Sequence, residues 1–245
     1  MDNNLRSTNI DKIEYATIVG ENKLLRNSFS WMALAMLLTA LSALSFAYIP
    51  QLTSVLYLNT EFGLKPTILA YVVMFAPLAF ILAINFGLNR MSFPVLIAVF
   101  VSFALVMGIS LSSVFYIYSI SSITAVFLST TALFALMAIA GYTTKTDLTK
   151  MGSILIIGVI GIVIASLINM FMGSAQLDYL ISILGVIIFT GLTAYDVQKI
   201  KNLGEQTNGD SAISSKLGIM GALTLYLDFI NLFLFLLRLF GGRKD

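Results

Sequence analysis

The residues best placed to do chemistry are two carboxylates set inside long apolar runs: Asp196, near the end of one run, and Asp228, near the middle of the next. A carboxylate at the centre of a bilayer costs roughly 2.5 to 3.5 kcal/mol on insertion scales, so such residues usually face a protein interior and have a task there. Histidine and cysteine are absent, which removes imidazole acid–base chemistry, thiolate nucleophiles, disulfides and the usual zinc sites. Proton chemistry is left to carboxylates, lysine and tyrosine. If the two aspartates meet, they cannot both ionise cheaply in low dielectric, so they would share a proton and titrate in two separated steps. That arrangement senses pH, and it is also a hard oxygen site that suits a calcium ion. The plainer reading pairs Asp196 with Lys199, three residues on, at the membrane surface, and gives Asp228 a structural role.

The neighbours of Asp228 strengthen the functional reading. At about 100° per residue, Thr224, Asp228, Asn231 and Arg238 fall on one narrow helical face, while the other faces carry Leu, Phe and Ile. Such a helix belongs inside a bundle, with its stripe toward a cavity or a partner helix, and Thr224, Asn231 and Arg238 become candidates to line a path. Ordinary interhelical hydrogen bonding, worth about 0.6 kcal/mol per contact, is the competing explanation.

The elements that must position these residues follow from composition. Hydrophobic residues make up 58% of the 245, charged residues only 11%, and the mean hydropathy is +0.95. A soluble domain of this size needs a more polar surface. In hydrocarbon each spanning helix takes about 20 apolar residues, and apolar runs bounded by charges or prolines are expected near 29–49, 67–88, 94–113, 120–141, 152–172, 178–198 and 214–240. The predicted fold is therefore an all-α membrane protein, a bundle of seven transmembrane helices. Residues 1–28 form a polar N-terminal segment, 29–240 the membrane region and 241–245 a short tail. The first apolar run is longer than a signal-peptide core and is expected to remain as an anchor. A short polar loop, about 202–213, should join the helices of Asp196 and Asp228 as antiparallel neighbours. Because Asp196 lies near its helix end and Asp228 about three turns in, the two meet only if the last helix begins well outside the hydrocarbon.

Positive charge sets the orientation. Loops on the N-terminal side hold Arg6, Lys12, Lys23, Arg26, Arg90, Lys145, Lys150, Lys199, Lys201 and Lys216, which is ten, and the opposite side holds Lys65, Arg238, Arg243 and Lys244, which is four. The N-terminus is expected to be cytoplasmic. Three of the four opposing charges follow or end the last span, so a re-entrant last segment competes with a full seventh crossing. A net charge of +2, with no basic patch interleaved with aromatics and no glycine-rich phosphate loop, argues against nucleic-acid or nucleotide partners.

Four stretches carry a family resemblance: Leu24-Leu25-Arg26-Asn27, Gly141-Tyr142-Thr143-Thr144-Lys145-Thr146-Asp147-Leu148, Gly191-Leu192-Thr193-Ala194-Tyr195-Asp196-Val197-Gln198-Lys199-Ile200 and Leu225-Tyr226-Leu227-Asp228-Phe229-Ile230-Asn231-Leu232-Phe233. In these the chain resembles the Bax inhibitor motif family of membrane proteins, in its bacterial branch. The resemblance implies seven helices with the last one central and a location in the bacterial cytoplasmic membrane. It also implies a pH-sensitive calcium leak gated by an aspartate pair, which carries over onto Asp196 and Asp228. An arginine that latches the pair would correspond to Arg90, although here a single Asn89-Arg90 replaces a run of arginines. No cofactor is expected; the partners are the lipid bilayer, calcium as bound or transported ion and, for a non-transporting regulator, a membrane protease. The enzyme reading is intramembrane aspartyl proteolysis, which also needs two embedded aspartates. Tyr195-Asp196 matches half of its signature, but the expected Gly-x-Gly-Asp is here Tyr226-Leu227-Asp228.

Overall fold

A computed structural model describes residues 2–60, 63–88, 90–206 and 211–244. Among these, seven helices are long and apolar enough to cross a membrane: Lys23–Tyr48, Ile68–Gly87, Phe93–Ile117, Ile120–Thr143, Thr149–Met172, Ala175–Gln206 and Ser214–Phe240. All seven expected spans are present, and the chain is an all-α membrane protein. In chain order the elements are α1 (Asp2–Tyr48), α2 (Pro50–Leu56), β1 (Tyr57–Thr60), β2 (Gly63–Pro66), α3 (Ile68–Gly87), α4 (Phe93–Leu111), α5 (Val114–Ile117), α6 (Ile120–Thr143), α7 (Thr149–Met172), α8 (Ala175–Gln206) and α9 (Ser211–Phe240).

The helix boundaries follow local chemistry. Pro50 opens α2 and Pro94 opens α4 at first-turn positions, where proline gives up an N–H that has no helical partner. The Thr67 hydroxyl caps α3 by accepting from the Ala70 N–H. Gly173 ends α7 in the left-handed conformation at φ 62°, which costs glycine nothing, and Ser174 then caps α8 by accepting from the Leu177 N–H at 3.3 Å. An antiparallel hairpin, Tyr57 opposite Pro66 and Thr60 opposite Gly63, stands where no regular element was expected.

The chain divides into two compact units. In the first, residues 1–30 with 124–241, α8 packs against both α7 and α9. Phe229 of α9 meets Phe127 and Phe134 of α6 edge-on, with centroids 5.4 and 5.5 Å apart. The span ending in Phe240 is 72% buried, against 6% for α7. In the second unit, residues 31–123 with 242–245, Thr39 and Ser42 of α1 donate to the Ala104 and Leu105 carbonyls of α4, both at 2.9 Å. The C-terminal tail is pinned within that unit to the segment between the third and fourth spans. Ser119 N donates to the Gly242 carbonyl at 3.1 Å and Lys244 N to that of Ile117 at 3.0 Å, while Lys244 Nζ donates to the Phe115 carbonyl at 2.9 Å.

The last segment is one uninterrupted helix of 30 residues, about 45 Å long. Its Arg238 pairs with Asp178 in the first turn of α8 at 3.6 Å. A segment that turned back halfway could not reach that level, so the structure favours a full crossing over the re-entrant alternative.

Candidate functional site

Asp196 and Asp228 come together in the first unit. Their side chains face each other where α8 packs on α9, and the two residues are only 7% and 4% exposed. The depth mismatch expected from the sequence is removed by helix length. The interval expected as a 202–213 loop is partly helical: α8 runs on to Gln206, ten residues past Asp196, and α9 starts at Ser211, seventeen before Asp228. At 1.5 Å per residue both helices exceed the roughly 30 Å of hydrocarbon, so each reaches beyond its expected span, and the packing of α9 on α8 brings the two carboxylates together.

The surroundings hold the pair in register. Gly141 of α6 lies so close to α8 that a Cβ there would overlap the Ala194 carbonyl, a small-residue contact of the kind that lets membrane helices approach. On the other side of Asp196, the buried Gln198 carboxamide donates to the Thr146 carbonyl and accepts from the Leu148 N–H, both at 2.9 Å. That clamp ties the 144–148 turn to α8. Phe235 lies over Gly185 and stacks on Phe189 at 5.9 Å, fixing the α8/α9 stagger further along. Lys199 lies 5.8 Å over the Tyr195 ring, and its charge also acts on the Asp196 carboxyl.

Two carboxyl groups that face each other can hydrogen-bond only with a proton between them, because an ionised carboxylate has only acceptors. Two buried side-chain oxygens lack any partner among the described residues: Asp228 Oδ2 and Thr190 Oγ1. Buried oxygens without partners are rare, and they suit water or a cation. No group of three or more acidic, histidine or cysteine side chains gathers among the described residues. The two carboxylates alone fall short of the six to eight oxygens of a calcium shell, so carbonyls, hydroxyls or water would have to complete it.

The remaining candidates divide. Thr224 and Asn231 are half-buried and Arg238 is exposed, whereas Asp228 is buried at the edge of their strip. Thr224 Oγ1 donates to the Met220 carbonyl at 3.1 Å and Asn231 Nδ2 to that of Leu227 at 2.8 Å, leaving Asn231 Oδ1 as an acceptor. Arg238 is held by Asp178 and lies 5.6 Å over the Phe235 ring. Arg90 belongs to the other unit, where it is exposed in the turn between α3 and α4. Sequence reasoning missed Thr190, whose only signal was a hydroxyl in an apolar run six residues before Asp196. It also missed Gln198 as a clamp and Gly141 as a contact point.

Comparison with known proteins agrees with this architecture. Residues 21–245 match the family described as "Inhibitor of apoptosis-promoting Bax1". An uncharacterized protein of Borreliella burgdorferi is 40% identical over 232 residues, covering 95% of this chain and 97% of its own. "Inner membrane protein YbhL" of Escherichia coli is 41% identical over 217 residues, covering 88% and 90%. A Rickettsia prowazekii protein is 40% identical over 217 residues, covering 89% and 88%. With a family match across nearly the whole chain and relatives at this identity, the protein belongs to the Bax inhibitor-1 family of membrane proteins.

Proposed function

We propose that the protein is a pH-responsive leak pathway for cations, calcium foremost, in the inner membrane of a bacterium, with its N-terminus in the cytoplasm. In this reading the last helix is central and lines the path, and Asp196 and Asp228 gate it. The observation that carries the reading is the buried aspartate pair, brought face to face by the packing of α9 on α8. Loss of the shared proton replaces a hydrogen bond by repulsion between two carboxylates in low dielectric. Separation of α8 from α9, or arrival of a cation, relieves that repulsion. The unpartnered Asp228 Oδ2 is an acceptor such a cation would use, and Asn231 Oδ1 adds an oxygen one turn away. The 72% burial of the last span supports its central place, and the inner-membrane name of the Escherichia coli relative supports the membrane.

Calcium flux from liposomes containing the purified protein tests the reading. Asp196→Asn and Asp228→Asn should each remove most of the pH dependence, and the double variant should add little more. Asn231→Leu should depress flux per folded molecule while shifting stability by only about 1 kcal/mol, the worth of one local hydrogen bond. A folded wild-type protein that carries no calcium at any pH would refute the leak and favour a non-transporting regulator of a membrane protease.

A further inference from the structure

A groove of about 450 Å³ opens in the first unit between α1, α6 and α8. Its walls are apolar: Leu25 and Phe29 of α1, Ala138 and Ile139 of α6, and Val197 of α8. Polar groups gather at one end. Arg26, near the start of the first span, lines the groove there together with Tyr142, in the last turn of α6. Lys201 flanks the same rim, its Nζ 5.0 Å over the Tyr142 ring and donating to the Tyr142 carbonyl at 3.2 Å. Among the described residues Arg26 has no ion-pair partner. From Ala135 to Tyr142 the groove follows α6 for seven residues, about 10 Å along the helix axis.

The size lies in the range of small-ligand sites, about 300 to 1,000 Å³. The polarity is that of an amphiphile, with cations at one end and a greasy slot running from it into the spanning region. Basic pockets between transmembrane helices select anionic lipid headgroups, and an interfacial tyrosine suits the same depth.

We propose that this groove holds one anionic phospholipid from the leaflet on the N-terminal side, its phosphate at Arg26 and Lys201 and part of an acyl chain along Ala138, Ile139 and Val197. Val197 adjoins Asp196, so an occupied groove buttresses α8 one residue from the aspartate pair. Binding itself does not depend on the leak reading.

Native mass spectrometry of the full chain in a neutral detergent tests it, with dioleoyl phosphatidylglycerol, dioleoyl phosphatidylcholine and glycerol 3-phosphate as probes. One phosphatidylglycerol should be retained in preference to phosphatidylcholine. Arg26→Gln should weaken that retention about five-fold, the effect of one cation at a membrane surface. Ala135→Phe, which narrows the slot while keeping Arg26, should weaken retention of both lipids. Equal retention of the two lipids, or retention unchanged by Arg26→Gln, would overturn the proposal. Competition by glycerol 3-phosphate as effective as that by the lipid would also overturn it, since the slot would then contribute nothing. Arg26 is exposed and tolerates substitution, so that arm decides the matter even if Ala135→Phe fails to fold.

Discussion

The aspartate pair should reveal itself in stability as a strongly coupled unit. Asp196 and Asp228 are nearly enclosed and face one another, so that a protonated carboxyl of one can donate to the other. Replacing either with valine, a residue of similar size, leaves the other carboxyl buried without its partner, at a cost of about 1 to 3 kcal/mol. Replacing both removes the stranded group as well as the bond, and also removes the unpartnered Asp228 Oδ2. What remains is helix propensity, about 0.5 kcal/mol per valine. The double variant should therefore cost about 1 kcal/mol, and fall short of the sum of the two singles by about 2 to 6 kcal/mol. Reversible unfolding in mixed micelles, followed by far-UV circular dichroism as the denaturing detergent fraction rises, measures all four corners of the cycle. Additivity of the two singles within about 0.5 kcal/mol would refute the reasoning, since it would mean that the carboxyl groups do not share a hydrogen bond in the membrane-inserted protein.

The other predictions concern topology and a helix start. Since the chain has no native cysteine, single cysteines report cleanly. Those at Ser7 and Thr144 should be shielded from an impermeant thiol reagent in intact cells, and those at Ser174 and Lys244 should label. Labelling at Thr144 would contradict the charge asymmetry, and protection at Lys244 would contradict a full crossing by the last helix, whose tail docks beside Phe115 and Ile117. In the 144–148 turn, the Thr149 hydroxyl and N–H donate to Asp147 at 2.6 and 2.9 Å and hold its carboxyl below the usual aspartate range. A depressed carboxyl stabilises the fold above its unfolded value near 3.9 and loses that contribution as pH falls through the folded value. Hydrogen exchange in the first turn of α7 should thus accelerate in acid below about pH 4, and Asp147→Ala should show the fast rate at neutral pH. An unchanged rate in Asp147→Ala would mean that the cap does not hold this helix end.

The seven spans were legible in the sequence because lipid imposes one simple demand, about 20 apolar residues that satisfy their own backbone hydrogen bonds. Prolines at positions 50 and 94 and Gly173 then mark ends by purely local sterics. The carboxylates stood out for the same reason, as charges in an apolar run. The Tyr57–Pro66 hairpin did not, because two four-residue strands carry too little periodicity to distinguish them from a loop.

Side-chain partners lay beyond the sequence altogether. A helical wheel put Arg238 and Asp228 on one stripe, yet Arg238 reaches a residue sixty positions earlier, Asp178, while Asp228 turns to Asp196. A wheel reports angle about one axis, whereas a contact depends on where the neighbouring axis passes and at what height. That height is set by Gly141 against Ala194 and Phe235 against Gly185. Residue order determined which segments enter the membrane and where they end; the stagger of α8 against α9, decided by packing between distant residues, determined that the two carboxylates meet.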